Sequence, residues 1–347
     1  MTKTIFKYGD DITWSLPLSF QYDMVWATIY NTIKSYGIEV PKINAYGCPN
    51  CLWTGGRVAH LRHQLVESQL RKIFDYHITN NSIPTFTFTC TALTPEDFKD
   101  PYCNYLLDFG LEYGAHFIVF DDRLKNYIKD KNPNAYVVAS VIKPTFRFQG
   151  VNKIEEPNAE NESAYYNELL KEYDLVVVRP EYSKYVLKDN PGLIDDISRI
   201  EVLINQQCVY NCPISPEHYQ WLEAARKHFN LEKNPKNAVL CLKNKLSHES
   251  LLKKTLPHTQ ETVKKLVKAG VKHLKLRGRS DSLTVSELTF LIYSQIFNID
   301  GDWNLILFEL GHHIQRDITF YHENIMRLDT YGVNINDYGR VQPFINR

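Results

Sequence analysis

Two cysteines near the middle of the chain have the spacing and position of metal ligands. Cys208 and Cys212 are separated by three residues and follow residues 200–204, an apolar, branched run that predicts a buried strand. Pro213 and Pro216 come next, and a helical pattern begins near Pro216. A strand end that presents two thiols is typical of a metal centre. The alternative is that both cysteines are small buried hydrophobic residues.

Three further cysteines extend this hypothesis. Cys48 and Cys51 form a C-x2-C pair, and Cys241 lies in a short apolar run that suits packing equally well. Two cysteine pairs could together provide four thiolates, a donor set that both zinc and an iron–sulfur cluster accept. The N-terminus carries no secretion signal. Reduced thiols and a cytoplasmic location are therefore expected.

Eight strand-like runs alternate with helical patterns along the chain. This order predicts a parallel sheet closed into a (β/α)8 barrel. A doubly wound open sheet is the alternative, but no glycine-rich nucleotide fingerprint follows any strand. We expect a single domain over residues 1–347, with helical decoration from about 284 to 347. The runs are residues 12–18, 42–46, 85–91, 116–120, 135–142, 174–178, 200–204 and 271–276.

In such a barrel, the segments that follow the strands meet at one rim, where active sites are built. The candidate residues at this rim are Cys48, Cys51, Cys90, Asp121, Asp122, Lys143, Arg179, Glu181, Asn205, Cys208, Cys212, Arg277 and Arg279. Lys275 and Arg279 share one face of the last strand, because strand residues alternate. We expect one of them to bind an anionic group or to pair with Glu201.

Several rim residues also have structural interpretations. Asp121 and Asp122 are typical caps of a following helix. Arg179 and Glu181 could form a structural ion pair. Cys90 and Cys103 read as packing residues.

The composition limits the function classes. The 347 residues carry 40 basic and 40 acidic side chains, so no global field attracts nucleic acid, and duplex nucleic-acid binding is not indicated. No apolar run reaches membrane-spanning length, so no membrane partner is expected.

Two motifs resemble those of the collagenase-like peptidase (U32) family. The first runs from Glu201 in an apolar strand to Cys208 and then to Cys212-Pro-Ile-Ser215. The second is the strand end from Lys275 to Arg279, with Gly278 before the arginine. Cys241 lies between the two motifs, as a cysteine does in that family. The motif support covers about residues 174–285.

The resemblance implies a barrel enzyme with a [4Fe–4S] cluster. Its ligands would be Cys208, Cys212, Cys241 and either Cys48 or Cys51. The family's better understood members resemble oxygen-independent hydroxylation factors, which implies a small-molecule, exposed aromatic or nucleobase substrate and a redox partner protein. Two departures from the family pattern are Gln206-Gln207 before the first cysteine and the short C-x3-C spacing.

Three functions follow from these residues. The first is redox or hydroxylation-type chemistry, with Glu181, Lys275 and Arg279 as catalytic residues and Asn205 and Arg179 as cofactor-binding residues. The second is a zinc hydrolase or peptidase in which a carboxylate such as Glu181 activates a metal-bound water. The third is a non-catalytic relative with a structural metal. Any shared centre requires the sulfurs of Cys208, Cys212 and a third cysteine to converge within about 7 Å.

Overall fold

The described part of the chain forms a closed parallel barrel. The structure is a computed structural model that describes residues 6–17, 19–20, 26–27, 30–31, 33–34, 39–55, 64–206, 210–228, 258–277 and 296. Eight strands follow one another around the barrel in chain order, and β8 pairs with β1 to close it. The predicted (β/α)8 architecture is confirmed. Residues 284–347, where helical decoration is predicted, are outside the described residues except for residue 296.

Each of the eight predicted runs overlaps a strand. The bounds are β1 Thr13–Pro17, β2 Ile43–Gly47, β3 Ser82–Phe88, β4 His116–Val119, β5 Val137–Ala139, β6 Leu175–Val178, β7 Ile200–Leu203 and β8 His273–Lys275. Strand β3 begins three residues before the predicted run and ends three residues before its end. Strand β5 ends earlier than predicted, because the chain turns into a helix at Ile142. The short run around Cys241 is outside the described residues.

Seven α-helices of seven or more residues lie in the described part of the chain. They are α1 Glu67–Thr79, α2 Pro101–Glu112, α3 Asp122–Lys131, α4 Ile142–Phe148, α5 Ala159–Glu172, α6 Ser215–His228 and α7 Gln260–Lys268. The sequence pattern predicts a long helix over residues 58–77, but residues 64–66 are not helical and α1 begins at Glu67. The backbone at Val66 is extended, and its N–H donates to the Gln69 side chain at 3.1 Å, which caps the start of the helix. None of the described helices is both long and apolar enough to cross a bilayer.

Alternation along the strands separates two apolar clusters. On β3, Phe86 and Phe88 join the large core between strands and helices. Thr85 and Thr87 occupy the opposite face. A second, smaller buried cluster, separate from the first, contains residues of the opposite parity: Tyr46, Ile118, Val138, Leu175 and Val177. This smaller cluster fills part of the barrel interior.

The rest of the interior is polar. Residues with the same inward parity on β1, β2, β7 and β8 are Ser15, Asn44, Glu201 and Lys275, and all four are buried. The sheet register brings them together, since Ser15 lies opposite both Asn44 and Lys275. The interior is therefore apolar on the β4–β6 side and polar around the closure of the barrel.

Candidate active site and metal centre

The centre of the polar side is a buried ion pair. The Lys275 ammonium donates to Glu201 Oε2 at 2.6 Å, and the Ser15 hydroxyl donates to Glu201 Oε1. The pair forms because neighbouring strands β7 and β8 place both side chains on the inward face. Of the two outcomes expected for Lys275 or Arg279, the structure shows Lys275 paired with Glu201.

Two side chains that the sequence analysis did not identify complete this cluster. The Lys275 ammonium lies 4.4 Å from the centre of the Tyr46 ring, a cation–π distance. Tyr46 donates its hydroxyl to the Leu276 carbonyl at 2.5 Å, and Asn44 Nδ2 donates to Ser15 Oγ at 3.4 Å. The signal that could have found them is polar residues at alternate positions of otherwise apolar strands.

The ends of β7 and β8 are tied together above this cluster. Asn205 Nδ2 donates to the Arg277 carbonyl at 2.9 Å, and the Arg277 N–H donates to Asn205 Oδ1 at 2.6 Å. Among the described residues, buried Arg277 Nη1 has no hydrogen-bond partner. The Asn205 amide thus aligns two strand ends, and Arg277 keeps one donor for an anionic group. Arg279 is outside the described residues.

Arg179 forms a different ion pair from the one considered from sequence. Its Nε donates to Glu162 Oε2 of α5 at 3.0 Å, with both side chains buried. Burial raises the pKa of the Glu162 carboxyl, and the Arg179 charge opposes that rise. The suggested Arg179–Glu181 pair is wrong as a direct contact. Nothing in the local sequence marks Glu162, which contacts the strand end from the helix layer.

Glu181 instead holds the loop that follows β7. Its Oε1 accepts from Gln149 Nε2 at 2.5 Å and from the Asn211 N–H at 3.2 Å. Arg179 Nη2 also donates to Asn211 Oδ1, at 3.4 Å. Asn211 has a φ of 45°, a left-handed conformation that asparagine tolerates. The end of β6 therefore anchors the segment just before Cys212.

Cys212 is buried at this position, with 7% of its surface exposed. Its carbonyl accepts from the Ser215 N–H at 3.3 Å, which leads the loop into α6. Cys208 and Cys241 lie outside the described residues, so the predicted convergence of sulfurs around Cys208 stays a prediction.

The two early cysteines lie together in the core. The Sγ atoms of Cys48 and Cys51 are 3.9 Å apart, and both residues are buried. Cys51 also contacts the Cys103 thiol of α2. Burial raises the pKa of Cys51, and the hydrogen bond to Cys51 raises that of Cys103. The thiols of Cys51 and Cys103 therefore stay protonated near neutral pH, and protonated thiols are poor nucleophiles.

The described thiols do not complete a metal site by themselves. Among the described residues, no group of three or more cysteine, histidine or acidic side chains could hold an ion. Cys48, Cys51 and Cys212 are therefore at most part of a donor set. The predicted four-thiolate centre needs Cys208 and Cys241 for completion.

Two other rim positions have structural roles in the described chain. Asp121 caps α3 by accepting the Arg123 N–H at 2.8 Å, as expected from sequence. Asp122 pairs with Lys143 at 2.9 Å. Burial lowers the pKa of the Lys143 ammonium, and Asp122 opposes that effect.

Comparison with known protein families and with curated proteins finds no match. Two solved structures with a similar fold are a U32 peptidase and the carboxyl transferase domain of Rhizobium etli pyruvate carboxylase, with pyruvate. The U32 peptidase has 11% identity and a TM-score of 0.44, over 78% of this chain and 93% of that one. The carboxyl transferase domain has 10% identity and a TM-score of 0.41, over 89% of this chain and 48% of that one. Similarities at this level do not assign an activity.

The arrangement provides two chemical resources at the carboxyl ends of the strands. The first is a fixed ammonium–carboxylate pair, Lys275 and Glu201, that could move a proton or exchange Glu201 for an anionic ligand. The second is a buried thiol, Cys212, on a loop anchored by Glu181 and Arg179. In barrel enzymes the residues that carry out the chemistry lie at this end of the strands.

Proposed function

We propose that the chain is a barrel enzyme that holds a [4Fe–4S] cluster on Cys208, Cys212, Cys241 and one of Cys48 or Cys51. Its reaction is redox or hydroxylation-type chemistry on a small molecule or an exposed aromatic group such as a nucleobase. The resemblance of two motifs to the U32 family supports iron over zinc. A bound cluster would supply electron transfer.

The observation that carries the proposal is the anchored position of Cys212. Two charged side chains at the end of β6, Glu181 and Arg179, both contact Asn211, the residue before the thiol. The backbone that presents Cys212 is therefore held in one place. Such outer contacts orient metal ligands in proteins.

Residues around the closure of the barrel would bind and position the substrate. Lys275 is the last residue of β8 and Arg277 follows it, and Arg277 Nη1 has no hydrogen-bond partner in the described chain. They suit an anionic or carbonyl group of the substrate. Glu201 holds the Lys275 ammonium in place, and Ser15 fixes the carboxylate. Asn205 keeps the two strand ends in register.

The test is metal content after anaerobic purification. A cluster gives a brown protein with broad absorption near about 400 nm, and iron and sulfide in roughly equal amounts. Cys212→Ala should lose most of the iron. Cys103→Ala is the matched control, because it removes a buried thiol outside the predicted ligand set. Zinc without iron would favour the hydrolase, and loss of metal without loss of turnover would favour a structural site.

A further inference from the structure

Helix α6 does not lie where its place in the chain predicts. A helix that follows a barrel strand normally packs outside the barrel, beside that strand. Helix α6 follows β7, but it packs on α4, which follows β5. Its Glu223 contacts Cys90 and Thr91, which follow β3.

These contacts place α6 across the mouth of the barrel. In a closed barrel of eight strands in chain order, β3 and β7 lie on opposite sides. The nine residues from Ser215 to Glu223 span about 12 Å of helix and end at the contact with the segment after β3. The helix therefore covers the carboxyl ends of the strands.

The C-terminal half of α6 is held by one buried carboxylate. Glu223 Oε2 accepts from the Thr91 N–H at 2.7 Å and from the Thr91 hydroxyl at 2.9 Å. Glu223 Oε1 accepts from the Cys90 thiol at 2.9 Å. Hydrogen bonds to an ionised carboxylate are stronger than neutral ones. Only 4% of Glu223 is exposed, so water does not replace them easily.

The N-terminal end of α6 is fixed by close packing and by the loop at Asn211 that precedes it. Gly150 has a φ of 88°, and a Cβ at this position would lie 2.9 Å from the Pro216 ring. This close approach sets the first turn of α6 against the segment after α4. Asn211, four residues before the helix, is held by Glu181 and Arg179. Cys212 lies between these two fixed points.

We infer that Glu223 is a positioning residue for the Cys212 loop. By tying α6 to the end of β3, it keeps the helix across the mouth, and the helix keeps Cys212 buried at the end of β7. The identity of what Cys212 binds rests on the proposed function, whereas the effect of Glu223 on the loop does not. No metal is needed to test it.

The experiment measures thiol accessibility in reduced, metal-free protein. N-ethylmaleimide labels exposed cysteines, and peptide mass spectrometry gives a separate rate for each one. In Glu223→Ala, Cys212 should label at least roughly tenfold faster, because loss of charged hydrogen bonds shifts a closed–open equilibrium by about that factor. Cys103, fully buried in α2, is the internal reference and should not change. Glu168→Ala, an exposed glutamate of α5, is the matched control.

A milder variant distinguishes loss of the Glu223 hydrogen bonds from global unfolding. If all cysteines of Glu223→Ala react faster together, the variant is unfolded, and Thr91→Val decides. This change keeps the backbone donor and removes the hydroxyl, so Cys212 should label a few-fold faster while Cys103 stays constant. An unchanged Cys212 rate in folded Glu223→Ala, or in Thr91→Val when Glu223→Ala is unfolded, overturns the inference.

Metal analysis of the same proteins keeps the two proposals apart. If wild-type protein binds no metal but Cys212 becomes reactive in Glu223→Ala, the proposed function fails and the positioning role stands. If wild-type protein holds iron and Glu223→Ala leaves Cys212 labelling in the metal-free form unchanged, the positioning role fails alone.

Discussion

The two sides of the barrel interior are built from different chemistry. On the β4–β6 side, Ile118, Val138, Leu175 and Val177 form a small apolar cluster. Around the closure of the barrel, Glu201, Lys275 and Ser15 form a hydrogen-bonded charge cluster. Both sides are buried, but only the apolar side gains stability from burial alone. The polar side therefore has buried charged and hydrogen-bonding side chains at positions where apolar residues would stabilise the fold more.

Removal of one charge from the polar side should have the largest effect on stability. Lys275→Met leaves Glu201 buried without its cation, which should cost about 3–5 kcal/mol of unfolding free energy. Urea denaturation followed by circular dichroism measures this loss. Turnover of the proposed reaction should disappear as well.

The control is the double variant Lys275→Met, Glu201→Leu. Replacement of a buried ion pair by apolar residues is often neutral or stabilising, so the double variant should recover at least half of the lost free energy. A double variant that is no more stable than Lys275→Met would mean that the pair is not a coupled unit. Activity should not return with stability if the pair belongs to the site.

The apolar side should respond through packing only. Leu175→Ala removes a buried side chain from the centre of this cluster and should cost about 3 kcal/mol, within the usual range for such cavities. Leu175→Met, which nearly conserves the volume, should cost less than about 1.5 kcal/mol. Metal content and Cys212 reactivity should not change in the folded protein. If Leu175→Ala lowered metal content in fully folded protein, the separation of the two sides would be wrong.

Each side of the barrel also carries a histidine at the start of a strand whose pKa is lowered by burial. His116, at the start of β4, stacks on Tyr136 at 4.0 Å between ring centres, and its pKa is lowered to about 4, first by burial and then by Lys42. His273, at the start of β8, faces Glu201, Lys42 and Lys275, and burial lowers its pKa too. The unfolded chain binds protons more readily than these histidines, so stability is complete above about pH 6.5 and falls as pH drops toward about 4.

The expected loss from His116 is about 2 kcal/mol between these limits, after allowance for its partial exposure. His116→Phe should flatten the pH dependence of the urea midpoint over this range. His218→Phe, in α6, gives the comparison, since its ring lies far from this end of the barrel. An equally steep slope in wild type and His116→Phe would contradict the assignment.

Much of the fold could be predicted from the sequence, because local patterns encode it. The Thr–Phe alternation of β3 decides which face meets the helices, and all eight runs form strands. Even the Lys275–Glu201 contact follows from alternation on two neighbouring strands. These features depend on residues close in sequence or on strands adjacent by topology.

The parts that sequence reasoning missed depend on long-range contacts between different layers. Helix α6 crosses the mouth through Glu223 and Thr91, more than a hundred residues apart, and no periodicity encodes that contact. Its position after β2 groups Cys51 with the rim cysteines, but its thiol contacts Cys103 of α2. Arg179 pairs with Glu162 because α5 packs beside β6, which strand patterns alone do not show.

Tyr46 joins the two sides of the interior and should give the smallest effect. Its ring belongs to the apolar cluster, its face lies 4.4 Å from the Lys275 ammonium, and its hydroxyl donates to the Leu276 carbonyl. Tyr46→Phe keeps the ring in both contacts and removes one hydrogen bond, so the unfolding free energy should fall by about 1 kcal/mol. Tyr185→Phe, at an exposed position, should change stability by less than about 0.5 kcal/mol. A loss for Tyr46→Phe as large as that for Lys275→Met would show that the hydroxyl, and not the charge pair, holds β2 to β8. If Tyr46→Phe and Tyr185→Phe lose the same unfolding free energy, the Leu276 carbonyl accepts a hydrogen bond from another donor in the variant. The ring of Tyr46, through its contacts with the apolar cluster and with Lys275, would then be the part of the side chain that joins the two sides.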